Sequence, residues 1–413
     1  MPNTSSRQLF SLVLPGVLLA ATGLGAGDLL TASLAGSETG LSLLWVVVIG
    51  VLLKWALTEG LARWQLATGT TLLEGWVWCL GGWIRWVFLI YLTLFTVVVG
   101  GALTTACGVA GGGLFPLGDV EVSKIIWGCI HSLIGAVLVL WGNLRLFEVV
   151  MSTCVGIMFL TVLLTAILIE PEWNMIAQGF VPSVPEGEEV WVLAVMGGIG
   201  GTVTLLSYGY WIREQNRRNR QDVRTCRIDL LVSQVITGVF GCAVIVIGSR
   251  VVLEGKGPVI ALVMADQLAT ILGPAGKWVF LLGFWSAVFS SLLGVWQSVP
   301  YMFADFLDLQ HSKPGLRRSV ELRTTSTYRW SVVLISTVPL ILLNTSVRSI
   351  QLAYGVLGAL FLPLLALTLL IMNNQRRWMG ADLLTPSWIN ALLVLALGFF
   401  SYVALNAIWA QLV

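Results

Sequence analysis

The chain has 413 residues, 57% hydrophobic and only 11% charged, with a mean hydropathy of +0.89, whereas soluble domains average about 25% charged residues. A soluble fold is excluded, and an all-α integral membrane protein is expected. The net charge of +2, without a basic arm or interleaved aromatics, argues against nucleic acid as a partner. Six singly placed cysteines (Cys79, Cys107, Cys129, Cys154, Cys226, Cys242) give neither a disulfide framework nor a thiolate zinc site. No HExxH, GxSxG or Walker loop occurs and only two histidines are present, which points away from an enzyme and from a bound cofactor.

In chain order, eleven apolar stretches approach the roughly 20 residues needed to cross a bilayer: about 9–37, 41–62, 84–107, 124–141, 146–169, 189–212, 228–252, 275–304, 329–345, 348–372 and 387–410. They leave no room for a soluble domain. The first stretch has no small-residue cleavage site that would spare the segment, so it reads as a retained span. The linker after the sixth span, REQNRRNRQDVRTCR, holds six arginines, and HSKPGLRRSVELRTTSTYR after the eighth holds one lysine and four arginines. The connection between spans five and six, EPEWNMIAQGFVPSVPEGEE, holds five glutamates and no basic residue. The excess of Lys and Arg marks the cytoplasmic side. The N-terminus is therefore expected in the cytoplasm and the C-terminus outside, in a multi-pass protein of the cell (inner or plasma) membrane. Tryptophans near span ends, as in WVWCLGGWIRW, suit the lipid interface.

Two spans are interrupted. TGLGAGD, Thr22 to Asp28, breaks the first, and Gly197, Gly198, Gly200 and Gly201 cluster in the sixth ahead of Thr202 and Thr204. Backbone groups freed inside hydrocarbon cost several kcal/mol each unless they line a cavity or meet protein partners. Close helix packing is the bland use of such glycines. Breaks five spans apart instead suit a transporter of two inverted five-span repeats, whose corresponding broken helices form the substrate site. Repeat one is placed at about 9–170, repeat two at about 188–373, and an extra helix at about 387–410.

At these residues the chain resembles the Nramp (natural-resistance-associated macrophage protein) divalent-metal transporters, a branch of the LeuT-like superfamily. LPGVLLAATGLGAGDLLTASLAGS parallels the family's first helix without a gap. GLARWQLATGTTLLEGW, GNLRLFEVV, WNMIAQGFVPSVP and LPLLALTLLIMNNQRRWMG resemble its later segments in the same order. The resemblance implies an eleven-helix LeuT-like fold with unwound first and sixth helices, and transport of a metal ion. The chemistry departs from the family's pattern. Where the family's metal site carries Asp-Pro-Gly-Asn, the gapless match places Gly25, Ala26, Gly27 and Asp28. Where it carries Met-Pro-His, the match places Thr204, Leu205 and Leu206. The acidic residues of the family's third helix have no counterpart in WVFLIYLTLFTVVVGGALTTACGVA.

The remaining groups are oxygens. Thr22, Asp28, Thr202, Thr204 and Ser207, with backbone exposed at Gly23, Gly25, Ala26, Gly200 and Gly201, form the candidate substrate site, and Asp28 is the candidate metal ligand. Such donors suit hard cations such as Mg²⁺, Ca²⁺ or Mn²⁺. Asp28 equally fits an N-cap of the outer half-helix; half-helix N-termini would then favour a small anion such as bicarbonate, and a small organic solute is the third alternative. Lys54 and Glu59 on the second span are candidate charge or coupling residues. Glu59 pairs with Arg63 at i,i+4, and Lys54 either finds a structural partner, Glu59 or a helix-end carbonyl, or supplies a fixed positive charge. Glu148, Asp229 and Asp305 read as span-end caps or gate pairs, and His131 as a helix contact rather than a proton relay. Small inorganic ion and lipid bilayer are the expected partners, and a monomer the expected state.

Overall fold

The computed structural model describes residues 16–20, 23–25, 27–142, 144–185, 188–217, 221–250, 260–308 and 322–412. Among these the regular structure is helical throughout. Among the described residues nine helices are long and apolar enough to cross a membrane, and they match the second to tenth spans read from sequence. A shorter apolar helix, 387–402, stands for the eleventh. The first is present as residues 16–20 and 23–25, a π-helical turn Gly27–Thr31 and the α-helix Ala32–Thr39.

Local chemistry sets several boundaries. Thr71 and Glu74 form a capping box after the second span, each side chain bonding the other's backbone N–H. Asp119 accepts Val122 N–H at 2.9 Å to start the fourth span, and Thr325 and Ser346 cap the ninth and tenth in the same way. The third span continues to Leu114 rather than 107. Its late glycines are packing sites: a Cβ on Gly111 would meet Trp127 at 2.7 Å, so the helix runs on against the fourth span. The ninth span changes at Pro339 from α-helix, Ser326–Thr337, to a 3₁₀ stretch, Val338–Asn344.

Burial separates centre from rim. Along an apolar 18-residue stretch of the sixth span, Val190–Arg213, 94% of the residues are buried in the protein, against 33% for the ninth. A broken helix in hydrocarbon needs protein on all sides, and the sixth span has it.

Candidate functional site

The sixth span breaks through backbone geometry that side chains disfavour. The outer helix Glu189–Gly198 closes when Ile199 N–H bonds Val195 O at 2.9 Å. Gly200 (φ +78°) and Gly201 (φ +72°) then turn left-handed in succession. Helical bonding resumes where Leu205 N–H meets Thr202 O at 3.0 Å, leading into the inner helix Ser207–Glu214. Left-handed backbone costs an L-residue roughly 1–2 kcal/mol, so glycine is the residue this turn requires.

In the first span, Leu24 N–H bonds Ala20 O at 2.7 Å and Leu29 N–H bonds Gly25 O at 2.8 Å, with bends at Leu24 and Gly25 between them. Thr22 and Ala26 lie outside the described residues, as do the side chains of Asp28 and Glu148. The backbone of Asp28 is placed, and it corrects the N-cap expectation. Asp28 is the second residue of the π-helical turn Gly27–Thr31, not the residue that precedes the helix. It still stands in the first turn of the outer half-helix, where the dipole favours negative charge.

The two breaks touch. A Cβ on Gly23 would lie 2.7 Å from Gly200 C and 3.0 Å from Gly201 N, so backbone meets backbone with no space for a side chain. Thr204 Oγ1 lies 2.4 Å from where a Cβ on Gly201 would stand, beside the same junction. The tenth span closes the other flank: a Cβ on Gly197 would sit 1.9 Å from Gly355 O. In the segment that follows this break Thr202 Oγ1, Thr204 Oγ1 and Ser207 Oγ are buried without a hydrogen-bond partner, as are Ser233 Oγ and Gln234 Oε1 on the seventh span, Asp222–Gly248. Buried hydroxyls are ordinarily bonded, so these oxygens hold hydrogen-bonding capacity that the protein itself leaves unused.

Gly25, which the resemblance aligns with the metal-binding aspartate, has its side-chain space filled from the eighth span. A Cβ there would lie 1.9 Å from Ser291 Oγ and 2.2 Å from Ser291 Cβ. Lys54 is 0% exposed, and its Nζ donates to Ile199 O, a carbonyl of the sixth-span break. The helix-end carbonyl expected as its partner is thereby identified.

On the arginine-rich side, buried carboxylates tie the spans together. Glu59 pairs with Arg63 through both oxygens (2.6 and 3.3 Å) and with Arg227 at 2.9 Å. Asp305 accepts from Tyr210 Oη at 2.8 Å and Thr71 Oγ1 at 3.0 Å. Asp229 accepts from Arg217 at 2.8 Å, Tyr208 Oη at 2.9 Å and Gly16 N–H at 2.7 Å. Asp229 lies well inside its helix rather than at a span end, and it fastens the start of the first span to the seventh. Burial alone would lower the Arg217 pKa; Asp229, Tyr208 and Cys226 together outweigh it and hold it above its ordinary value.

His131 is a structural cross-link. Trp285 Nε1–H donates to its Nε2 at 2.8 Å, while its Nδ1 faces Trp127 O at 2.7 Å. An indole can only donate, so Nε2 is an acceptor and the ring is held neutral. Sequence reasoning missed Gln234, Ser233 and Ser291; the signal available was a polar side chain inside an apolar span, as in LLVSQVITG.

The family model described as "Natural resistance-associated macrophage protein-like" matches residues 16–410. A divalent metal cation transporter, MntH, of Brucella suis is 22% identical, covering 94% of this chain and 85% of its own. The crystal structure of a mutant Eremococcus coleocola manganese transporter superposes with a TM-score of 0.78 at 16% identity, over 100% of this chain and 89% of that one. MhsT in complex with L-phenylalanine superposes with a TM-score of 0.59 at 15% identity, over 97% and 98% of the two chains.

Proposed function

The chain belongs to the natural resistance-associated macrophage protein-like (Nramp) family, and from that membership we propose a multi-pass cell-membrane transporter that moves a hard divalent cation, such as Mg²⁺ or Mn²⁺, by alternating access. The observation that carries the reading is the set of unpartnered buried oxygens, Thr202 Oγ1, Thr204 Oγ1 and Ser207 Oγ, in the segment that follows the break at Gly200 and Gly201, where the backbone meets Gly23. Oxygen donors suit hard cations, and Mg²⁺ retains several waters that hydroxyls and carbonyls can hold. Thr204 stands where the family carries its sulfur ligand, which agrees with a harder ion. Asp28 is proposed as the carboxylate that offsets the ion's charge. The names of the relatives, a divalent metal cation transporter and a manganese transporter, point the same way.

In the proposed cycle the ion enters from the acidic side and leaves when the Glu59, Asp229 and Asp305 contacts release. The two repeats, about 9–170 and 188–373, rock against one another, the helix at about 387–410 is peripheral, and the protein acts as a monomer with a cytoplasmic N-terminus and a C-terminus outside. The named relatives are transporters, and no catalytic step belongs to this cycle. A second reading, a small anion such as bicarbonate, is favoured by one observation, the Lys54 ammonium at the break.

Uptake into proteoliposomes tests both, with Mn²⁺, Mg²⁺ and Ca²⁺ against bicarbonate, for wild type and Asp28→Asn. The expected result is saturable divalent uptake that falls about tenfold in Asp28→Asn, a loss of about 1.4 kcal/mol. Anion uptake without cation uptake overturns the cation reading.

A further inference from the structure

Lys54 sits in the middle of the second span, Leu44–Thr68, fully buried. Its Nζ donates to Ile199 O, at the inner end of the sixth span's outer half-helix. The C-terminal end of a helix carries about half a negative charge. Near it lies one further oxygen fit for a cation: Gln234 Oε1 is buried and unpartnered. A Cβ on Gly200 would find Thr237 Cγ2 at 3.0 Å, Lys54 Cδ at 3.7 Å and Gln234 Oε1 at 3.9 Å, which brings the second, sixth and seventh spans to one point. In transporters built around broken helices, unwound carbonyls and half-helix C-termini are where coupling cations bind. An ammonium is costly to bury, and here it meets a helix-end carbonyl, the kind of oxygen that holds a cation.

We propose that the Lys54 ammonium is a tethered cation, occupying at the Ile199 carbonyl the position that a soluble monovalent cation would otherwise fill. Transport through this chain then needs no sodium or potassium at that point. The inference rests on the transport reading for its functional meaning and on the carbonyl contact for its chemistry.

The test compares full-length wild type with Lys54→Met and Lys54→Gln, each purified in choline chloride. Thermal unfolding is measured as choline is exchanged for Na⁺, Li⁺, K⁺ or methylammonium at constant ionic strength. Wild type is expected to be indifferent. Lys54→Met is expected to melt lower in choline and to gain about 2 °C in one of the small cations at roughly ten times its Kd. Mn²⁺ or Mg²⁺ uptake by Lys54→Met should recover several-fold in the same cation. Folded Lys54→Met and Lys54→Gln with no selective stabilisation overturn the proposal. So does a wild type stabilised by one of these cations over choline, a result that needs no variant to fold. If neither Mn²⁺ nor Mg²⁺ is taken up by any form, the transport reading fails, and the melting series still decides the role of Lys54.

Discussion

Replacing Gly23 by alanine tests whether the two breaks meet. The added Cβ would stand 2.7 Å from Gly200 C, about 0.7 Å inside the shortest ordinary contact of 3.4 Å. Retreat is hindered on the far side, because Gly197 lies against Gly355 O and a Cβ on Gly358 would already meet Thr202 Cγ2 at 2.8 Å. Overpacking of this kind costs about 1–3 kcal/mol, and the upper half applies because the obstruction is backbone rather than a flexible side chain. Alanine's greater helix propensity returns up to about 1 kcal/mol, leaving a net loss of roughly 1–2 kcal/mol. Gly398→Ala is the control: it lies in the last helix, a Cβ there meets nothing within 4 Å, and it should be neutral or slightly stabilising. Thermal unfolding of the purified variants, paired with Mn²⁺ uptake, reads the outcome. A Gly23→Ala protein that melts within about 1 °C of wild type and transports at the wild-type rate would refute the junction.

Thr204→Val should separate stability from function. The hydroxyl is buried without a partner, so an isosteric methyl removes a desolvation cost of about 1 kcal/mol or more. Unfolding temperature is expected to hold or rise while divalent uptake falls about tenfold, the loss of roughly one good ion contact; uptake unchanged in Thr204→Val would remove this hydroxyl from the site. For His131, the bond from Trp285 keeps the ring neutral. His131→Gln should leave the pH profile of uptake unmoved while lowering stability, and a shifted profile would restore a proton-relay role.

What could be read from the sequence was what is encoded locally. Left-handed turns demand glycine, so the break at Gly200–Gly201 announces itself in any chain. The i,i+4 spacing puts Glu59 against Arg63 without knowledge of other helices. The partners of the seventh and eighth spans were not legible in this way. Gln234 reaches Gly200, and Ser291 reaches Gly25, only because long-range packing turns those faces inward, and no local pattern fixes how two apolar helices rotate against each other. The third span runs past 107 for a related reason: Gly111 and Gly112 are the surface on which Trp127 and Ser123 pack.

The departure at position 25 is therefore a packed pair of residues rather than a single loss, and it makes the last prediction. The family's aspartate cannot simply be restored, since any Cβ at Gly25 would collide with Ser291 Oγ at 1.9 Å and Ser291 Cβ at 2.2 Å. Gly25→Asp alone should be destabilised by at least the overpacking cost of about 1–3 kcal/mol, raised by placing a carboxylate in that confined space. Ser291→Gly removes both colliding atoms. The double variant should recover most of the lost stability, a coupling of about 1–3 kcal/mol in a double-mutant cycle, and should bind Mn²⁺ more tightly than wild type, measured by calorimetry. Additive effects in that cycle would mean that Ser291 does not fill the aspartate's place. Recovery of stability without a gain in Mn²⁺ affinity would mean that position 25 faces something other than the ion.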